Sequence, residues 1–123
     1  MRKTFYILTM FLITLFTLSC KKELVNAPQI QTITANIKMN QAYEFDLGNF
    51  GDEEGATITK QAGYFTTSLV YRESNTGKIT YKYTPANNFV GVDEVKIKSV
   101  RGSSGASVGD KIINTTIKIT VTN

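Results

Sequence analysis

The chain has 123 residues, with 14 Lys and Arg against 10 Asp and Glu, for a formal net charge of +4. It contains no histidine, no tryptophan and one cysteine, which excludes an internal disulfide, a Cys/His zinc site and any catalysis that depends on an imidazole. A chain of this length makes one domain.

Met1, Arg2 and Lys3 form a short cationic start, and Phe5 to Leu18 is an apolar run broken only by Thr9, Thr14 and Thr17. Ser19, Cys20, Lys21, Lys22 and Glu23 follow at once. That order is the layout of a secretory signal peptide, and the run is too short to span a bilayer comfortably. The cysteine at its end makes it resemble a bacterial lipoprotein signal. Ser19 fits that pattern, while Thr17 and Leu18 stand in swapped order. The resemblance implies that residues 1–19 are removed and that Cys20 becomes the acylated N-terminus. The protein would then be held in the bacterial cell envelope, with the outer membrane as its expected site and the membrane as a partner through the lipid. Two or more acyl chains give stable anchoring. Arg2 and Lys3 leave with the signal, so the 14 cations become 12 against 10 acids and the working charge falls to +2. Residues 20–28 read as a tether. Its Lys21–Ala27 stretch would reach up to roughly 25 Å when extended.

The remainder, residues 29–123, reads as strands. Ile33, Ala35 and Ile37 share one face of a first strand. Tyr43, Phe45 and Leu47 alternate with Glu44 and Asp46, the period of a half-buried strand. Ala56–Lys60 and Tyr64–Tyr71 are rich in Thr, Tyr, Phe and Val, which suit strands. Ser74-Asn75-Thr76-Gly77 is a turn. Ile79, Tyr81 and Tyr83 then oppose Thr80 and Lys82, Val95 and Ile97 alternate with Lys96 and Lys98, and Ile117, Ile119 and Val121 alternate with Lys118, Thr120 and Thr122. About seven short strands with turn signals between them predict an all-β, two-sheet antiparallel sandwich. Its expected core is Tyr43, Phe45, Ile58, Tyr81, Tyr83, Phe89, Val95, Ile97, Ile117, Ile119 and Val121.

The segment from Ile79 to Val95 is the most specific. It places Tyr83, Pro85, Phe89, Gly91, Asp93 and Val95 in a Tyr-x-Pro…Phe-x-Gly-x-Asp order. This resembles the bacterial Ig-like and cadherin-like modules of secreted and surface proteins, and it implies an Ig-like fold. Pro85 would end a strand because it cannot donate to a ladder, and Asn87 and Asn88 suit a turn. Phe89 would plug the crossing between the sheets. Gly91 would adopt a conformation that a Cβ obstructs. Asp93 would accept backbone N–H groups in the turn.

The chemistry is sparse. Arg101-Gly102-Ser103-Ser104-Gly105 lacks the strand–turn–helix setting of a nucleophile elbow. Asp93 and Glu94 are adjacent on a strand and point to opposite faces. The acidic loop with Asp52, Glu53 and Glu54 has oxygen ligands but no recognisable Ca²⁺ spacing. The lysines and arginines fall singly along the strands, which argues against nucleic acid. No enzyme, cofactor or metal is therefore expected. The Gly- and Ser-rich connection Arg101–Asp110, with Arg101, Ser103, Ser104 and Ser107, is the candidate binding loop. The expected role is a non-catalytic, lipid-anchored module that binds a protein or glycan. A second reading is an inhibitor of cysteine proteases. Asn75-Thr76-Gly77 resembles a fragment of the Asn-Pro-Thr-Thr-Gly loop of chagasin-type inhibitors, themselves Ig-like sandwiches, and Arg101-Gly102 stands where that family has Arg-Pro-aromatic.

Overall fold

In the computed structural model, residues 27–102 and 111–123 are described. The signal segment, Cys20, most of the tether, and Ser103, Ser104 and Ser107 lie outside them. Seven strands form two sheets: β1 (Gln29–Lys38), β2 (Tyr43–Asn49), β3 (Gly55–Lys60), β4 (Phe65–Arg72), β5 (Lys78–Pro85), β6 (Gly91–Arg101) and β7 (Lys111–Thr122). One sheet has the order β1-β7-β6-β3 and the other β2-β5-β4. This is an Ig-like sandwich. One pair departs from the antiparallel expectation, because β1 runs parallel to β7 from Gln29 beside Ile113 to Lys38 beside Thr122.

The alternation read in the sequence is the alternation of burial. Ile79, Tyr81, Tyr83 and Pro85 of β5 turn inward, as do Asp93, Val95, Ile97 and Ser99 of β6 and Thr115, Ile117, Ile119 and Val121 of β7. Two expectations for the core need correction. Tyr43, Phe45, Ile58 and Phe89 are only partly buried and pack against the core from its edge, whereas Ala35, Ile37, Leu47, Phe50, Ala62 and Ile79 lie within it. Tyr43, Phe45 and Ile58 sit on β2 and β3, outer strands of their sheets, where the sandwich closes less completely. Phe89 stacks on exposed Tyr64, with ring centroids 4.5 Å apart.

Chain direction sorts the connections. The β2–β3, β4–β5 and β6–β7 connections gather at one end, together with the start of β1. The β1–β2, β3–β4 and β5–β6 connections gather at the other. At this second end Asn40 and Asn88 take positive φ (63° and 60°), and the Asn88 N–H donates to Asn40 Oδ1 at 3.2 Å. Gly91 has φ 147°, and a Cβ there would meet the Phe89 ring at 3.2 Å. The glycine of the motif is thus favoured by its backbone conformation and by the close approach of its own aromatic.

Asp93 lies at that second end and is 5% exposed. It does not cap its own turn. Its carboxylate accepts the N–H of Gly63 at 2.7 Å and of Tyr64 at 2.8 Å, in the β3–β4 connection. It also accepts the Tyr83 hydroxyl at 3.0 Å and the Glu94 N–H at 2.9 Å. Strand β6 belongs to one sheet and Tyr83 on β5 to the other, so the carboxylate joins the sheets. Burial, and then the Asp93 charge beside it, push the Tyr83 hydroxyl well above the ordinary tyrosine range. A neighbouring hydroxyl system is built the same way. Tyr81 Oη lies 2.7 Å from Ser68 Oγ, which donates to Gln61 Oε1, and Gln61 Nε2 returns to the Ser68 carbonyl at 3.1 Å.

Candidate functional site

At the first end the β2–β3 loop stands at the centre, joined to the β4–β5 turn and to Arg101 and Gly102, where the β6–β7 connection begins. Phe50 is the plug. It is 6% exposed although it lies in a loop of acidic and glycine residues. Its N–H donates to the Gly77 carbonyl at 3.0 Å, which ties the β2–β3 loop to the β4–β5 turn. Gly77 has φ 67°, and a Cβ there would come within 2.5 Å of the Phe50 carbonyl oxygen, so only glycine lets the two loops approach this closely.

Two arginines secure the assembly from opposite sides. Arg72, the last residue of β4, donates through Nη2 to the carbonyls of Gly51 at 2.7 Å and of Phe50 and Glu54 at 3.3 Å each. Carbonyl groups of a tight loop have no ladder partner, and a guanidinium fork offers several donors at once. Arg101, the last residue of β6, lies over the Phe50 ring at 4.2 Å and donates to the Leu47 carbonyl. Glu54 completes the link to the third connection. Its carboxylate accepts the N–H of Gly51 at 2.8 Å and that of Gly102 at 2.6 Å.

This arrangement assigns new parts to residues singled out in the sequence. Arg101 lies at the loop end as expected, but its head turns inward and organises the loops. Glu54 binds backbone, while Asp52 and Glu53 remain exposed. Among the described residues no group of three His, Cys, Asp or Glu side chains converges on a point. Asp93 and Glu94 diverge: the first is buried, and the second pairs outward with Lys60 at 3.1 Å. Asn75-Thr76-Gly77 occupies the β4–β5 turn, where Thr76 Oγ1 donates to Glu73 Oε2 at 2.6 Å and accepts the Lys78 N–H at 3.2 Å.

Above the Phe50–Arg72 floor lies a cleft of about 290 Å³, rimmed by Asp52, Glu73, Ser74, Asn75 and Thr76. A second, narrower cleft of about 190 Å³ enters between the sheets, bordered by Gln31, Phe45, Leu47, Arg101 and Ile113. The first presents carboxylates, hydroxyls and an amide to solvent, with Arg72 engaged on loop carbonyls at its floor. It can accept hydrogen bonds and attract cationic or hydroxyl-rich groups. The sequence reading missed Phe50 and Arg72. A lone aromatic between Asn49 and Gly51 in a polar loop was the available signal for the first. Nothing local marked the second, because its partners come from another sheet connection.

No protein-family profile matches the chain, and no curated sequence does. Solved structures align with it at low identity. An endo-fucoidan hydrolase of glycoside hydrolase family 107 aligns at 17% identity and TM-score 0.48, over 76% of this chain and 12% of its own. A cysteine protease inhibitor from Entamoeba histolytica aligns at 14% and 0.47, over 76% of this chain and 94% of its own. A 2,6-sialyltransferase from a Photobacterium species aligns at 13% and 0.43, over 78% and 18%. The chain therefore spans only a small part of the two enzymes and nearly the whole length of the inhibitor.

Proposed function

We propose that this protein is a non-catalytic recognition module that engages a protein or glycan with the three-loop end of its sandwich, and that it is anchored in the bacterial cell envelope through acylated Cys20. The observation that carries the reading is the mutual fastening of the β2–β3 loop, the β4–β5 turn and the Arg101–Gly102 start of the third connection by Phe50, Arg72, Arg101 and Glu54. Loops held in one arrangement lose little freedom on binding, so more of the contact energy appears as affinity. The fastening uses backbone groups and leaves Asp52, Glu73, Ser74 and Asn75 facing outward. Strand β1 starts at this same end. A lipid at Cys20 would therefore hold the loops within tether reach of the membrane, which favours partners at the envelope surface over bulky soluble ones.

The test is a pull-down from native membranes with the intact chain, compared with an Asn75→Ala/Glu73→Gln variant. Capture of one partner by the native chain and its loss with the variant, at unchanged melting temperature, is the expected result. Equal capture by both would move the binding surface elsewhere. Anchoring is tested separately: Cys20→Ser should shift the protein from the membrane to the soluble fraction.

A second reading, inhibition of papain-like cysteine proteases, draws on the presence of Asn75-Thr76-Gly77 and Arg101-Gly102 on loops of the same end. Against it stand the inward turn of Arg101 and the missing Pro and aromatic. Titration against papain decides, since tight inhibition supports this reading and its absence removes it.

A further inference from the structure

The outer face of the four-stranded sheet gathers lysines that look scattered in the sequence. Lys96 and Lys98 project outward from β6, Lys118 from β7 and Lys60 from β3. Register brings them together. Lys60 stands directly opposite Lys96, Lys98 lies between Thr57 and Asn114, and Lys118 faces Glu94. Glu94 is the one acid in this patch and is shared by Lys60 at 3.1 Å and Lys96 at 4.0 Å. Like charges directly across a ladder disfavour the sheet, so the fold does not call for this pattern.

The opposite sheet shows what balance looks like. On its outer face Lys82 pairs with Glu44 at 3.2 Å and Lys78 with Asp46 at 3.4 Å, one acid for each lysine. The lysine-rich face instead carries short hydroxyl and amide side chains beside the lysines, Thr32 and Thr34 on β1, Asn114, Thr116 and Thr120 on β7, and Thr57 on β3, with exposed Val92 and Ile30 at its margins. Its lysines spread over roughly 13 Å along the strand direction, at about 3.3 Å per residue, which covers more than one sugar unit.

We propose that this face binds an anionic polysaccharide, with Lys60, Lys96, Lys98 and Lys118 meeting its carboxylate or sulfate groups and the flanking Thr and Asn side chains meeting its hydroxyls. The proposal is independent of the loop end. Nucleic acid is disfavoured because no aromatic side chain stands among these outward residues to stack on bases, and because the sheet presents no element shaped for a groove. An anionic bilayer shares the charge but would leave the Thr and Asn lattice without partners of matching chemistry.

The test uses the full-length chain in neutral detergent. Dextran sulfate, polygalacturonate and neutral dextran are each titrated at low and at raised salt. Binding of both anionic polymers, none of neutral dextran, and weakening with salt is expected. Lys96→Gln/Lys98→Gln should reduce the affinity about tenfold, while Lys78→Gln/Lys82→Gln on the opposite face should change it less than about twofold. Lys60→Gln/Lys118→Gln repeats the measurement should the first pair fail to fold. Absence of binding, or equal loss from both faces, overturns the proposal. So does tighter lysine-dependent binding of a single-stranded oligonucleotide or of phosphatidylglycerol vesicles, which would assign the face to nucleic acid or to membrane.

Discussion

The two ends of the sandwich solve one problem with opposite charges. Both must satisfy backbone groups in connections that no ladder reaches. The β3–β4 end uses a buried acid: Asp93 collects the N–H groups of Gly63, Tyr64 and Glu94 and the Tyr83 hydroxyl. The three-loop end uses arginines: Arg72 collects three carbonyls and Arg101 a fourth. The difference lies in burial. Asp93 is closed off, whereas Arg72 remains exposed. The first end is therefore a structural staple and the second a scaffold for outward-facing side chains.

Asp93→Ala tests the staple and should have the largest effect. It leaves the N–H groups of Gly63, Tyr64 and Glu94 without their acceptor, at about 1–3 kcal/mol for each unsatisfied group, and leaves the Tyr83 hydroxyl only the Tyr64 carbonyl at 2.9 Å. A loss of about 3–5 kcal/mol in urea unfolding is expected, enough to unfold a marginal domain. A loss below about 1 kcal/mol would show that water replaces the carboxylate and that the ends do not differ.

The polar systems behind the staple should respond to alkali. Burial pushes the Tyr81 hydroxyl up to about 12 from its ordinary 10.0. The folded chain thus holds this proton more tightly than the unfolded chain does. The contribution is complete below about pH 10 and is lost as pH rises from about 10 toward 12. Stability measured across that window should fall steeply, and Tyr81→Phe should flatten the fall. An unchanged slope would mean that Tyr81 is not protected.

Phe89→Ala separates the motif's aromatic from the core proper. Phe89 is half-buried against Tyr64, so a loss of about 1–2 kcal/mol is expected, short of the 3–5 kcal/mol for a fully buried aromatic. A melting temperature as low as that of Asp93→Ala would make Phe89 part of the staple.

Arg72→Ala should cost least in stability, about 1 kcal/mol or less, because its head is exposed and its hydrogen bonds compete with water. Its effect should appear locally instead. Amide hydrogen exchange in residues 50–54 should accelerate while β5 and β6 stay protected. Uniform acceleration across the sheets would show that the arginine supports the whole fold and that the loop end is no separate scaffold.

Strand content was legible in the chain because alternation is local. Ile79, Tyr81 and Tyr83, or Val95 and Ile97, declare their face through the two-residue period of a strand. Turn residues were legible too: Asn88 and Gly91 take the positive φ values their types permit. What the chain could not reveal depended on pairing across long separations. The parallel docking of β1 on β7, the reach of Asp93 to Gly63 and Tyr64, the grip of Arg72 on the Phe50 loop and the assembly of Lys60, Lys96, Lys98 and Lys118 each join residues from different strands. Residue type and period determine which way a side chain faces. Sheet order and register decide what it meets there, and those are set only when every strand has found its neighbour.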